Sequence, residues 1–232
     1  MSAEAQVQQP QATPTFAMLR TLGGIAMLSG LLVVLVYQLT LPIIAENQRI
    51  ATERAVFRVI SGAVTKKDFV VTPAGLIPFA EASAIEGKTI YAAYDGEGNL
   101  KGVAFPGAAQ GYQDVIKFLF GYDPSCQCVI GSKVLKSTET PGLGDKIDFD
   151  PTFLKNFEAL DARVSTAGDA LANPIVTVKN GSKENPWEID AISGATISSN
   201  ALGRALNAAA QQVIPVIQRD LKKLSLERPA DR

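Results

Sequence analysis

Apolar and polar positions follow three regimes along this chain. From Leu22 to Ala45 no charge interrupts an apolar run, and the nearest charges are Arg20 and Glu46. About 25 residues of helix span roughly 37 Å, enough to cross a bilayer. The run is apolar on every face, which does not suit a surface helix of a soluble domain. A secretory signal has a shorter apolar region that ends in a small-residue cleavage site. The pattern therefore predicts a retained transmembrane anchor over 18–45. Residues 1–17, with Gln, Pro and Ala but no period, predict a disordered tail. Beyond the anchor, Ile50, Ala51, Val56, Phe57 and Ile60 alternate with charges and predict a helical stalk over 46–64.

The second regime has period two. Residues 65–88 are weakly patterned and read as loop. Thr89–Tyr94 and Leu100–Phe105 then flank the turn Asp95-Gly-Glu-Gly-Asn99, and Val115–Phe120 and Cys128–Leu135 flank a turn at Asp123-Pro124. Repeated hairpins of this kind predict a mainly antiparallel sheet in an α+β domain covering 65–216. The third regime is helical. Leu202, Leu206, Ala209 and Val213 keep one buried face, Pro215 is expected to kink or end the helix, and a polar tail is expected over 217–232.

Composition narrows the chemistry. The formal charge is −1, with no block of like charges, so nothing marks a nucleic-acid partner. There is no His, which excludes Ser-His-Asp and Cys-His catalysis and His-based metal sites. Two Cys are too few for a disulfide framework. On a regular strand Cys126 and Cys128 share a face with their Cβ atoms too far apart to bridge, although a turn allows a bond. They are read as ordinary packed thiols.

Two segments carry candidate chemistry. Asp190-Ala-Ile-Ser193-Gly194-Ala195-Thr196 is followed by Ile197-Ser198-Ser199-Asn200 and opens the helical region. Extended Pro186–Ile189 lead into it, Gly194 can take a positive φ, and hydroxyls crowd a helix start. Free N–H groups and the helix dipole favour a phosphate there, while capping is the plainer role for Ser and Thr. Upstream stands Glu139-Thr140-Pro141-Gly142-Leu143-Gly144-Asp145, which on composition alone is a surface loop ending a strand.

Together these strings resemble the FMN-binding domain family, shared by the G subunit of Rnf electron-transport complexes (RnfG) and the C subunit of the Na⁺-pumping NADH:quinone reductase. The resemblance covers roughly residues 18–216 and includes the Ile44-Ala45-Glu46-Asn47 junction. It implies that Thr196 carries FMN through a phosphoester bond. Asp190, Ser193, Gly194 and Ala195 would present that threonine, and the Ser198 and Ser199 region would hold the phosphate. It further implies that Glu139, Thr140, Gly142, Leu143 and Gly144 lie beside the flavin. Gly111-Tyr112-Gln113-Asp114 is a weaker match to the family's Gly-Tyr-Gly-Gly segment, with Asp114 where glycine is usual. Tyr112 and Trp187 are candidates to border the ring, with core packing the plainer role for both.

The resemblance implies an electron-relay subunit of a ferredoxin:NAD oxidoreductase complex that translocates ions, not catalytic alone, with the other membrane subunits as partners. Attachment would need a separate Mg²⁺-dependent flavin transferase with FAD as donor, since Thr196 has no His to activate it. Arg20 alone precedes the span, whereas Arg49, Arg54, Arg58, Lys66 and Lys67 follow it. A literal count of basic residues therefore places the domain in the cytoplasm. The family holds its domain outside the cytoplasmic (inner) membrane, and that is the orientation expected. The alternatives are the quinone-pump subunit and an unflavinylated anchored scaffold.

Overall fold

The computed structural model describes residues 15–82 and 87–226. The chain divides after Arg49 into two units, and helix α1 (Thr15–Val59) contributes to both. In the first unit α1 has an 18-residue window of mean hydropathy 2.1, none of it buried, and is long and apolar enough to cross a membrane. Thr21 and Thr40 fold their hydroxyls back onto carbonyls three and four residues earlier, which satisfies them without water. The helix passes Glu46 without a break and runs through Pro42. The tail expected over 1–17 lies outside the described residues except for 15–17, where Thr15 begins the helix.

The second unit is built on a seven-stranded antiparallel sheet in the order β2-β1-β3-β4-β5-β6-β7. Its strands are β1 (Thr65–Thr72), β2 (Gly75–Pro78), β3 (Lys88–Tyr94), β4 (Leu100–Gln110), β5 (Val115–Asp123), β6 (Cys128–Lys136) and β7 (Leu160–Asp161). The α+β class and both expected hairpins are present. The loop expected over 65–88 is instead a hairpin, β1–β2, leading to the start of β3. Lys66, Lys67 and Asp68 mask the alternation in β1. Near the end of the pairing they remain half-buried, and Lys66 pairs with Asp68 at 2.7 Å, while Phe69 and Val70 enter the core.

Both faces of the sheet are covered. Helix α3 (Thr196–Arg219) lies on one face and buries Leu202, Leu206, Ala209 and Val213 against Phe105, Phe118 and Phe120. A Cβ on Gly107 would come within 2.9 Å of the Ala205 carbonyl, so the missing side chain lets α3 settle on β4. On the opposite face the last turns of α1 seat Val56, Val59 and Ile60 on Ala93, Ala104 and Leu119. Gly121 and Gly131 leave room there for the Val59 carbonyl, which their Cβ atoms would approach to 2.5 and 2.7 Å.

Pro215 does not end α3: the helix continues about one further turn to Arg219, with Pro215 itself buried, so one missing N–H is outweighed by packing. Two other expectations about the chain's later part are corrected. The residues from 217 do not begin as a polar tail. Ile217 and Leu224 are fully buried, and α4 (Leu221–Leu226) follows, with Tyr94 donating its hydroxyl to the Leu224 carbonyl at 2.8 Å. Cys126 and Cys128 are not packed thiols but a disulfide. The turn leaves strand geometry, with Gln127 at φ +51°, and brings the two Cα atoms to 5.2 Å.

Between β6 and α3 the chain makes a 3₁₀ turn (Gly144–Asp148), then α2 (Pro151–Leu154), whose start Asp150 caps by accepting the Phe153 amide at 2.9 Å. A parallel pair, β8 (Val176–Val178) and β9 (Glu188–Asp190), then delivers the chain to the start of α3.

Candidate functional site

The fold brings the two sequence segments together although some 50 residues separate them. A cleft of about 610 Å³ is lined on one side by Tyr112, Gln113, Glu139, Thr140, Leu143 and Gly144. Gly194, Ala195, Thr196, Ile197 and Ser198 line the other side. Gly142, at φ +76°, turns the loop so that the Leu143 amide donates to the Thr140 carbonyl at 3.1 Å. Gly194, at φ +83°, makes the corner into α3. Neither glycine's missing Cβ would touch anything, so each is required for its backbone shape rather than for space.

Four hydroxyls crowd this corner, and their environments differ. Thr196 is the first residue of α3 and is exposed, and its predecessor Ala195 offers no side-chain cap. Ser198 is buried and donates its hydroxyl to Oε2 of Glu139 in a very short contact. Ser199 is fully buried, donates to the Ala195 carbonyl at 2.9 Å and accepts the Ile192 amide at 3.1 Å. Ser193 is exposed and lines not the cleft but an adjoining hollow of about 240 Å³ with Lys179, Asn180 and Asn200, whose border Thr196 shares. The hydroxyls of Ser198 and Ser199, in the region expected to hold a phosphate, are both engaged with protein partners. They already fix the corner, and of the four at this corner the one exposed on the cleft is that of Thr196, with Thr140 exposed on the facing wall.

Glu139 lies at the base of the cleft, 6% exposed. Its Oε1 accepts the amides of Tyr112 at 2.9 Å and Gln113 at 3.0 Å, and its Oε2 accepts Ser198. Asp190 does not face the cleft. Its carboxylate accepts the Gly181 amide at 2.7 Å, and its backbone is gripped by buried Asn156, which accepts the Asp190 N–H at 3.0 Å and donates to its carbonyl at 3.2 Å. Lys183 reaches the same Asn156 at 3.2 Å, and burial holds its ammonium below the ordinary lysine range, partly offset by Asp190 and Glu188. Trp187 is half-buried away from the cleft wall. Gln113 and Ile197, which line the cleft, and Asn156, which anchors the lead-in strand, were not singled out from sequence. Only the adjacency of the first two to Tyr112 and Thr196 could have pointed to them.

The site suits a flat, largely apolar ligand with an anionic tether. Tyr112, Leu143 and Ile197 stay 65%, 52% and 49% exposed and come together at its walls. The volume falls within the roughly 300–1,000 Å³ of small-molecule sites. Among the described residues no group of three acidic, Cys or His side chains is placed to hold a metal. An isoalloxazine ring with its phosphate at the start of α3 fits this arrangement.

Residues 111–211 match the family described as FMN-binding domain. The G subunit of the ion-translocating oxidoreductase complex of Methanosarcina acetivorans is 36% identical over 123 residues, 53% of this chain and 57% of that protein. The G subunit of the proton-translocating ferredoxin:NAD(+) oxidoreductase complex of Clostridium ljungdahlii is 28% identical over 199 residues, 85% of this chain and 91% of that protein. The chain thus spans little more than half of the first relative and nearly all of the second. The C subunit of the Na(+)-translocating NADH-quinone reductase of Parabacteroides distasonis matches in structure with a TM-score of 0.55 at 18% identity. That match covers 77% of this chain and 94% of that one, and it speaks for the fold alone.

Proposed function

We propose, with the FMN-binding domain at residues 111–211 as the premise, that this chain is the single-pass membrane subunit of an Rnf-type ion-translocating ferredoxin:NAD oxidoreductase complex and that it carries FMN on Thr196. Bound FMN would supply the electron-transfer chemistry, with the protein contributing position and environment. The Thr196 oxygen would become the ester oxygen to the FMN phosphate. The exposed start of α3 leaves N–H groups and the positive end of its dipole beside that phosphate. Tyr112, Leu143 and Ile197 would flank the ring.

The observation that carries this reading is the contrast among hydroxyls: Thr196 is open to the cleft, while Ser198 and Ser199 are buried and bonded. A modifying enzyme meets one accessible hydroxyl on that wall. With no His in the chain, a separate flavin transferase using FAD and Mg²⁺ would form the ester. The domain would lie on the outer side of the cytoplasmic membrane. The Cys126–Cys128 disulfide supports that side over the basic-residue count, because such bonds persist in oxidising compartments.

Thr196→Val keeps the branched shape and removes the oxygen. It should reach the membrane, show no flavin fluorescence on a denaturing gel and fail to support electron transfer by the complex. A variant as fluorescent as the unaltered chain contradicts attachment at Thr196. An unaltered chain without flavin would favour the scaffold reading.

A further inference from the structure

Glu139 is a buried carboxylate with no ion-pair partner among the described residues, and it bonds to three residues at once on two separate chain segments. Two glycines make its room. A Cβ on Gly111 would stand 2.6 Å from Oε1, and one on Gly144 would stand 2.5 Å from Oε2 and 2.6 Å from the Ser198 hydroxyl. Chain geometry around the cleft is thus fitted to this one side chain. Its partners are the amides of the loop that carries Tyr112 and the third residue of α3, so the carboxylate ties the two opposite walls of the cleft together. Burial of an anion on these terms is costly unless every acceptor site is used, which makes the arrangement sensitive to any loss.

We infer that Glu139 is a positioning residue: it touches no cofactor atom but clamps the Tyr112 loop to the first turn of α3, fixing the width of the cleft between Tyr112 and Thr196. This rests on the flavin reading for what the cleft holds, though not for the clamp itself. It also recasts the role implied by resemblance, in which Glu139 borders the flavin directly. Ser198 is bonded by the clamp and is thereby withheld from modification, whereas Thr196, two residues earlier, is left free.

The test uses the full chain in detergent, with Glu139→Ala and Glu139→Gln. Amide hydrogen exchange of a peptide covering Tyr112 and Gln113 should be at least ~10-fold faster in Glu139→Ala, the factor expected for losing a charge-assisted hydrogen bond. Glu139→Gln keeps an oxygen for both amides and should stay near the unaltered rate. In the same samples flavin on the denaturing gel should persist in Glu139→Ala, while its native-state fluorescence rises toward that of the denatured protein as the Tyr112 wall moves away. Should Glu139→Ala not fold, Ser198→Ala serves. It releases only the helix side, so the Tyr112 and Gln113 amides should stay protected while exchange at the start of α3 quickens. Unchanged exchange in Glu139→Ala, or in Ser198→Ala at the start of α3, overturns the clamp, as does loss of the flavin adduct with exchange unchanged. An unaltered chain without flavin sinks the functional reading instead, and the exchange rates still judge Glu139.

Discussion

Strand β5 ends in two clefts of nearly equal size and different lining. Next to its first residue, Val115, lies the cleft of about 610 Å³ walled by Tyr112, Leu143 and Ile197. Beside its last, Asp123, lies a hollow of about 620 Å³ bordered by Asn99, Lys101, Asp123, Ser125 and Ser225. Volume does not distinguish them. Chemistry does: the first leaves large apolar side chains exposed beside an open hydroxyl, while the second sets the polar groups of Asn99, Lys101, Asp123 and Ser125 among half-buried Leu100, Ile130 and Leu221. Asp123 there accepts the Ser125 amide at 2.8 Å and its hydroxyl at 2.6 Å. The second end is also stapled by the Cys126–Cys128 disulfide and by Gln127, which accepts the Ala162 and Val164 amides at 3.0 Å. One end is prepared to hold something and the other to hold itself.

The contrast breaks most sharply at Gly144. Gly144→Val places carbon where Glu139 and Ser198 need space and should cost about 1–3 kcal/mol through overpacking. Flavin on a denaturing gel should fall with it, and normal loading and stability would show that the first cleft is not so tightly specified. At the other end, the double change Cys126→Ser with Cys128→Ser should lower stability by no more than about 2 kcal/mol, since the bond closes a very short loop. Flavin loading should not change, and a loss of loading would mean that the two ends are coupled.

Acid should loosen the stapled end further. Hydrogen bonds from Arg163 hold the Asp161 carboxyl below its ordinary range, outweighing its partial burial. A carboxyl with a depressed folded-state pKa stabilises the fold above its unfolded pKa, and that contribution is lost as pH falls through the folded value. Asp161→Asn should therefore flatten the acid limb of the melting-temperature profile slightly, and an identical limb would discount this pair. Lys101→Ala, on the rim of the second hollow, should change stability by no more than about 0.5 kcal/mol and leave loading intact. Reduced loading there would assign that hollow a share in the site.

Much of this was legible in the sequence where one residue type dictates one conformation. Gly142 and Gly194 adopt the positive φ that their turns require, and the hairpins around Asp95–Asn99 and Asp123–Pro124 form as the period-two pattern predicts. What stayed hidden depends on partners distant in the chain. The three charges of β1 conceal a strand whose inner half packs in the core, and Ile217 and Leu224 look like tail until the sheet is there to bury them. The disulfide needed a positive φ at Gln127, which a non-glycine residue does not advertise. Within the site, the resemblance already set Thr196 apart from Ser198 and Ser199. The fold adds a physical difference, by bringing Glu139 to Ser198 and the Ala195 carbonyl to Ser199.

The central claim, that the open hydroxyl at the first cleft is the flavin's point of attachment, is tested most directly by peptide mass analysis of the chain purified from its own membrane. The account predicts an FMN phosphoester on the peptide that spans residues 184–204, with fragmentation placing it on Thr196. An adduct on Ser193, Ser198 or Ser199, or a flavin that leaves the chain on denaturation, would contradict it.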